Sequence, residues 1–341
     1  MYTIYDYVDY YKKDNFEEEK FNIMDNVLFS LLAYLPIEKI KFKDNSNISE
    51  IYKELKDVKV YNKLANKALE ILKRIYLSNR YKDIQFLNFS YKLDEKIQFC
   101  AITFKNNYFT YVAFRGTDGS ITGWEENFKL SYIYPSLTQK EAIKYVDNIK
   151  DEEFYVGGHS KGGNLAMVGS LESKNFSKVK KVFNNDGPGF LKDQFNSKKY
   201  NELNKKLINI LPEDSVVGIL LHNKDYNYIK STKKGVLAHD LTTWTCFGKY
   251  LVEGELSKSS KAVKDKLLKG LEEAKPEDLE IITNKFFDLL RENNIEKLRD
   301  VKKLNFQTFT LLMNDIKNVD ESTKKLFIEV IKTFAFSWFL I

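Results

Sequence analysis

Between Asn22 and Leu35 the apolar residues Ile23, Val27, Leu28, Leu31, Leu32 and Leu35 recur at helical spacing and share one face, which predicts an amphipathic helix. Asp25 stands early in that helix, where a carboxylate suits the positive end of the helix dipole. A second helix is predicted over Val60–Leu77. Three apolar runs follow, Ile84–Tyr91, Ile97–Phe104 and Tyr108–Phe114, the last two joined by an Asn106-Asn107 turn. They read as an antiparallel meander. From Leu137 the pattern alternates. A helix over Leu137–Asn148 is followed by a strand at Phe154, a helix through Asn164 and a strand over Val179–Phe183. Next come a helix from Leu191 to Lys206 and strands at Leu207–Ile210 and Val216–Leu221. Such alternation predicts an α/β fold, with a mostly parallel central sheet covered by helices on both faces. Beyond Leu256 the pattern is helical and highly charged, with helices over Lys261–Glu273 and Glu277–Asn293 and with Pro276 and Asn305 as punctuation. The chain therefore divides into a sheet-containing part, 1–255, and a helical extension, 256–341, read as a lid or an interaction element.

The segment from Val156 to Asn164 places Ser160 in a Gly-x-Ser-x-Gly setting, after a predicted strand and before a predicted helix. A serine on so sharp a turn carries strained dihedrals and exposes its hydroxyl, while the flanking glycines let strand and helix approach. A nucleophilic serine needs a base, and the base an orienting acid. Of three histidines, His159 adjoins the serine and is aimed elsewhere, and His222 ends a strand-like run. His239 lies in a loop after the last predicted strand and is the expected base. Two carboxylates are candidates for the acid. Asp214 follows the second strand after the nucleophile and is preferred, because the acid more often comes from the later loop. Asp186 follows the first strand and remains the alternative, with capping of the Gly187-Pro188-Gly189 turn as its other role. Asp240, next to His239, is poorly placed to meet its ring. An oxyanion hole is expected from the backbone N–H groups of Lys161 and Thr117, with Gly116 allowing close approach. The Arg115 side chain reads as half of a buried ion pair.

Taken together, Ala113-Phe114-Arg115-Gly116-Thr117, Gly158-His159-Ser160-Lys161-Gly162-Gly163 and the late His239 resemble the class 3 lipase-like branch of the α/β-hydrolases. More narrowly, the chain is similar to a bacterial family of unknown function in that branch. That likeness rests on Asp25–Leu28, on Asn185-Asp186-Gly187-Pro188-Gly189-Phe190 and on His239-Asp240-Leu241, and it spans Met1 to Tyr250. It implies a Ser160–Asp214–His239 triad, Thr117 and Lys161 at the oxyanion hole, an ester or lipid-like acyl substrate, and no metal or organic cofactor. Lys161 departs from the leucine that secreted lipases of the branch carry, and sets a charge beside the nucleophile. The Asn-Asp-Gly-Pro-Gly segment departs from the usual strand end, which keeps Asp186 open as the acid.

Composition narrows the alternatives. The 341 residues are 43% hydrophobic and 30% charged, as in ordinary globular proteins. The net charge of +6 is spread along the chain without a basic block, which argues against a nucleic-acid partner. Cys100 and Cys246 fit no metal or disulfide spacing. The start of the chain lacks a basic segment followed by an apolar one, so a cytoplasmic location is expected. Phe334–Ile341 is strongly apolar but shorter than the about 20 residues that span a bilayer. It reads as a docked last helix, with a membrane-surface or oligomer contact as the other reading. Two functions compete with ester hydrolysis by a free enzyme: a hydrolase-fold binding or regulatory protein, and a membrane-associated phospholipase. Oligomeric state is not readable from the sequence.

Overall fold

The computed structural model describes residues 1–297, 300–301, 312 and 314–335. Eight strands form one sheet in chain order: β1 (Ser46–Asn47), β2 (Gln85–Leu93), β3 (Gln98–Lys105), β4 (Thr110–Phe114), β5 (Phe154–His159), β6 (Val179–Asn185), β7 (Leu207–Pro212) and β8 (Tyr226–Ile229). Neighbours run antiparallel from β1 to β4 and parallel from β4 to β8. The register aligns the strand ends: Gly158 lies opposite both Phe114 and Asn184, and His159 opposite Asn185. Arg115, Ser160 and Asp186 therefore leave the sheet side by side, at the carboxyl edge where such folds gather their chemistry.

Side-chain alternation along β4 divides the interior into two cores. Tyr111 and Ala113 face the helices α1 (Ile4–Tyr11), α2 (Ile23–Leu32), α3 (Ile48–Leu55) and α4 (Lys63–Ile75). Val112 and Phe114 face the other layer, packing with Val146 of α6 (Leu137–Asp147) and with Leu165 and Val168 of α7 (Lys161–Leu171). A central strand buried on both faces cannot show a polar alternate, and all five residues of β4 are buried. Helices on both faces of a sheet with five parallel strands make this an α/β-hydrolase fold.

Asp25 does more than favour the helix dipole. Its buried carboxylate pairs with Arg80 at 2.6 Å and accepts from Tyr81. The predicted helix from Leu191 to Lys206 is broken into α8 (Lys192–Phe195) and α9 (Lys198–Asn204), because Ser197 caps the second piece by accepting from the Tyr200 amide. A helix that the pattern did not suggest, α5 (Ile121–Lys129), begins at Ser120, whose hydroxyl accepts from the Gly123 amide. The predicted strand Val216–Leu221 is instead a loop, and the last parallel strand is Tyr226–Ile229. Its apolar residues were misleading because Val217, Leu220 and Leu221 line a cavity rather than a sheet face.

Among the described residues the extension supplies α10 (Lys258–Glu273), α11 (Pro276–Glu292) and a last helix, Glu321–Ala335. Pro276 occupies the first turn of α11, where its missing N–H costs nothing. Ile282, Phe286, Phe287 and Phe327 pack with Ile121 and Trp124 of α5 in a shared core. Asn305 and the apolar end Phe336–Ile341 lie outside the described residues. No described helix is long and apolar enough to cross a membrane. Cys100 and Cys246 are buried free thiols.

Candidate active site

Ser160 sits between β5 and α7 with φ 59 and ψ −132, a conformation that a residue with a side chain adopts only at a cost of about 1–3 kcal/mol. The turn is held by its neighbours. The Ser160 amide donates to the Asn185 carbonyl at 3.0 Å, and its own carbonyl accepts from the Gly163 amide at 2.8 Å. The flanking glycines are required by contact. A Cβ on Gly162 would fall 2.1 Å from the Phe114 carbonyl oxygen, and one on Gly158 would fall 2.4 Å from the Gly162 backbone. Strand, elbow and helix thus lock against the end of β4, and the serine is aimed outward.

His239 closes a 3-10 turn, Gly235–His239, and lines the same cavity as Ser160. Its Nδ1 meets Asp186 Oδ2 at 2.7 Å. Asp186 is fully buried, and its other carboxylate oxygen accepts from the Ser215 hydroxyl and from the Gly218 amide at 3.0 Å. The carboxylate is thereby fixed toward the Nδ1 edge of the ring.

The structure does not bring Asp214, the preferred candidate, to the ring of His239. Asp214 is only half buried, and its Oδ2 accepts from the Gly235 amide at 3.1 Å, so it caps the turn that ends in His239 rather than meeting the ring. The reason is distance across the sheet. β6 is the immediate neighbour of β5, whereas β7 is one strand farther, and each step moves a strand end by about 5 Å. Asp240 turns away to Lys67 and Thr242, as its adjacency to His239 suggested.

His159 ties down the loop that carries His239. Its Nε2 bonds to the His239 backbone carbonyl at 2.7 Å and its Nδ1 meets the Tyr34 hydroxyl at 3.0 Å. A carbonyl only accepts, so Nε2 carries the proton and Nδ1 receives that of Tyr34. Burial, reinforced by His239 whose ring centre lies 4.3 Å away, holds His159 well below the usual histidine range and therefore neutral. His222 stands apart, packed on Phe195.

The loop after β4 brings Thr117 to the cavity, with its hydroxyl accepting from Asn127 at 2.9 Å. Lys161 opens α7, where the first amides have no carbonyl partner in the helix. Its side chain does not enter the cavity as a surface charge. It is buried and donates to Gln98. Arg115 forms the expected ion pair, with Glu38 at 3.3 Å; burial opposes its charge, but Cys100, Glu38 and Asp118 around it outweigh that and leave its pKa raised.

Ser160 and His239 open into a cavity of about 170 Å³. Trp124, Phe128, Val217 and Leu220 line it together with Leu267, Leu279, Leu326 and Phe327 of the extension. The pattern of the sequence did not reveal Tyr34, Gln98, Ser215 or the cavity-facing leucines, because each is an ordinary core or loop residue until the fold brings it to the edge. Among the described residues no cluster of His, Cys, Asp and Glu could hold a metal ion.

Fold and elbow together define an α/β-hydrolase-like protein. The Mbeg1-like family model matches residues 75–288, and the chain belongs to that family. The match runs from the end of α4 through most of α11, so it includes part of the helical extension. Among solved structures the chain is similar to an M37 lipase crystal structure, at 16% identity over 58% of this chain and 69% of that one, with a TM-score of 0.35. No curated protein matches the sequence.

Proposed function

We propose that the protein is a serine hydrolase that cleaves carboxylic esters with an apolar acyl group. The observation that carries this reading is the 2.7 Å pair between His239 Nδ1 and buried Asp186, beside a serine held at positive φ in one apolar cavity. His239 Nε2 takes the Ser160 proton as Oγ attacks the ester carbonyl, and Asp186 stabilises the resulting imidazolium. The backbone N–H groups of Thr117 and Lys161 receive the oxyanion, each such donor contributing roughly 3 kcal/mol. The imidazolium then protonates the leaving alcohol, and water repeats the sequence on the acyl-enzyme. In a cavity of about 170 Å³ there is room for on the order of ten water-sized groups, which suits an extended acyl chain better than an acetyl group. The helices after Leu256 serve in this reading as part of the wall of the acyl site.

A panel of p-nitrophenyl esters of increasing chain length tests the proposal. The wild-type protein is expected to prefer longer chains over acetate, and Ser160→Ala to lose turnover while keeping its fold. Turnover that survives in Ser160→Ala would remove Ser160 from the chemistry.

A further inference from the structure

Lys161 is the residue next to the nucleophile, yet its side chain takes no direct part in the reaction outlined above. It is 1% exposed, and no carboxylate among the described residues lies within ion-pair distance of its ammonium. Its Nζ donates to the Gln98 carbonyl at 2.8 Å and to Gln98 Oε1 at 2.6 Å. The Gln98 amide nitrogen in turn faces the Gly116 carbonyl at 3.4 Å. Gln98 and Thr117 converge on one spot of α5: a Cβ on Gly123 would fall 2.8 Å from the Thr117 methyl and 2.9 Å from Gln98 Oε1. The route Lys161–Gln98–Gly116 therefore joins the elbow to the loop that carries the second oxyanion donor.

A buried ammonium held only by neutral oxygens is a poor choice for stability, since desolvation opposes the charge. Its counter-charge sits at a distance. Glu126 on α5 is buried, bonds to Thr138 through one oxygen, and leaves Oε1 without a hydrogen-bond partner among the described residues. Asp118 and Arg115 of the oxyanion loop complete the charged groups around the ammonium, one favouring it and one opposing it.

We propose that Lys161 is a positioning residue for the oxyanion hole, its ammonium fixing the Gly116–Thr117 loop through Gln98 and supplying positive charge behind the developing oxyanion. This inference rests on the serine-hydrolase reading. Burial pulls the Lys161 pKa from 10.5 down to about 8, against the opposing pull of Glu126 and Asp118. The ammonium is the form that donates two bonds to Gln98 and carries the charge, so kcat is expected to fall as pH rises through about 8.

The test compares wild type, Lys161→Met and Glu126→Gln in steady-state hydrolysis across this range, with lysine ¹³Cε NMR on the same proteins. Lys161→Met is expected to lower kcat at neutral pH by about tenfold to a hundredfold, with KM changed by no more than about twofold, and to lose the alkaline limb. Glu126→Gln removes a carboxylate that favours the ammonium, so the limb and the Lys161 resonance both move to lower pH. A purely structural lysine would shift its resonance in the same way but leave the kinetic profile without a matching limb. The inference is overturned if Lys161→Met keeps the wild-type kcat and limb, or if the Lys161 resonance titrates near 10.5, the ordinary lysine value. Should Lys161→Met not fold, Glu126→Gln decides alone: a limb that does not follow the Lys161 resonance refutes the inference. A wild-type protein that is folded but cleaves no ester refutes the hydrolase reading itself, and this inference with it.

Discussion

Two aspartates leave adjacent parallel strands toward the same histidine loop, and they end in different situations. Asp186 turns at the end of β6 with φ 51, is fully buried, and gathers His239, the Ser215 hydroxyl and the Gly218 amide. Asp214, beyond β7, is partly exposed and accepts a backbone N–H from Gly235. One carboxylate holds the ring of His239, and the other holds the start of the turn that delivers it. An acid in a hydrogen-bonded, water-free pocket is held in one geometry, whereas a solvated one is shared with water. Chain order alone does not separate them; adjacency in the sheet does.

The sharpest break between the two is chemical. Asp186→Asn is expected to lower kcat by about a thousand- to ten-thousand-fold with the fold retained, because the tautomer of His239 is no longer imposed. Asp214→Asn keeps an oxygen for the Gly235 amide and is expected to change kcat by less than about tenfold. Ester turnover of the two purified variants checks this, and equal losses would dissolve the distinction. A smaller effect concerns the part of the cavity wall that the extension supplies. Leu326, 5% exposed and facing the cavity from the last helix, is expected on replacement by Trp to lower kcat/KM for long-chain esters by about tenfold to a hundredfold. Acetate esters would be little affected. A uniform loss across chain lengths would place the acyl group elsewhere.

A last contrast concerns stability, and it sets the buried Lys161 against the well-partnered Asp186. Lys161 has its pKa lowered from 10.5 to about 8 by burial, so in this window the unfolded chain binds more protons than the folded one. Stability therefore rises with pH between those values. Relative to Lys161→Met, the wild type is expected to gain about 3 kcal/mol across the window. Urea unfolding at several pH values measures it, and a constant difference between the two proteins would mean that Lys161 is not held in the way described.

Much of this was readable in the sequence. Helical and two-residue periodicities located most of the elements, because a sheet buried on both faces and its covering helices leave long apolar runs. The elbow was readable as well, since Gly158 and Gly162 are required by contacts with the backbone of β4 and of each other. With three histidines to choose among, the sequence singled out His239, which the structure brings to the Ser160 cavity. What escaped is what depends on lateral order. The sequence does not say that β6 rather than β7 lies beside β5, and so it could not choose Asp186. Nor does it show that Val217, Leu220 and Leu221 face a cavity, since an active-site wall and a buried strand use the same residues. The same holds for Lys161, whose charge reads as a disturbance beside the serine until the structure shows it turned inward to Gln98.

The central claim is that Ser160 is a nucleophile activated by His239 and Asp186. Labelling with an alkyl fluorophosphonate, followed by mass spectrometry of the peptides, tests it most directly. The account predicts a single adduct on Ser160 in the wild type, formed far more slowly in Asp186→Asn and at nearly the wild-type rate in Asp214→Asn. A folded wild-type protein that takes up no probe, or takes it up at another residue, would contradict the account.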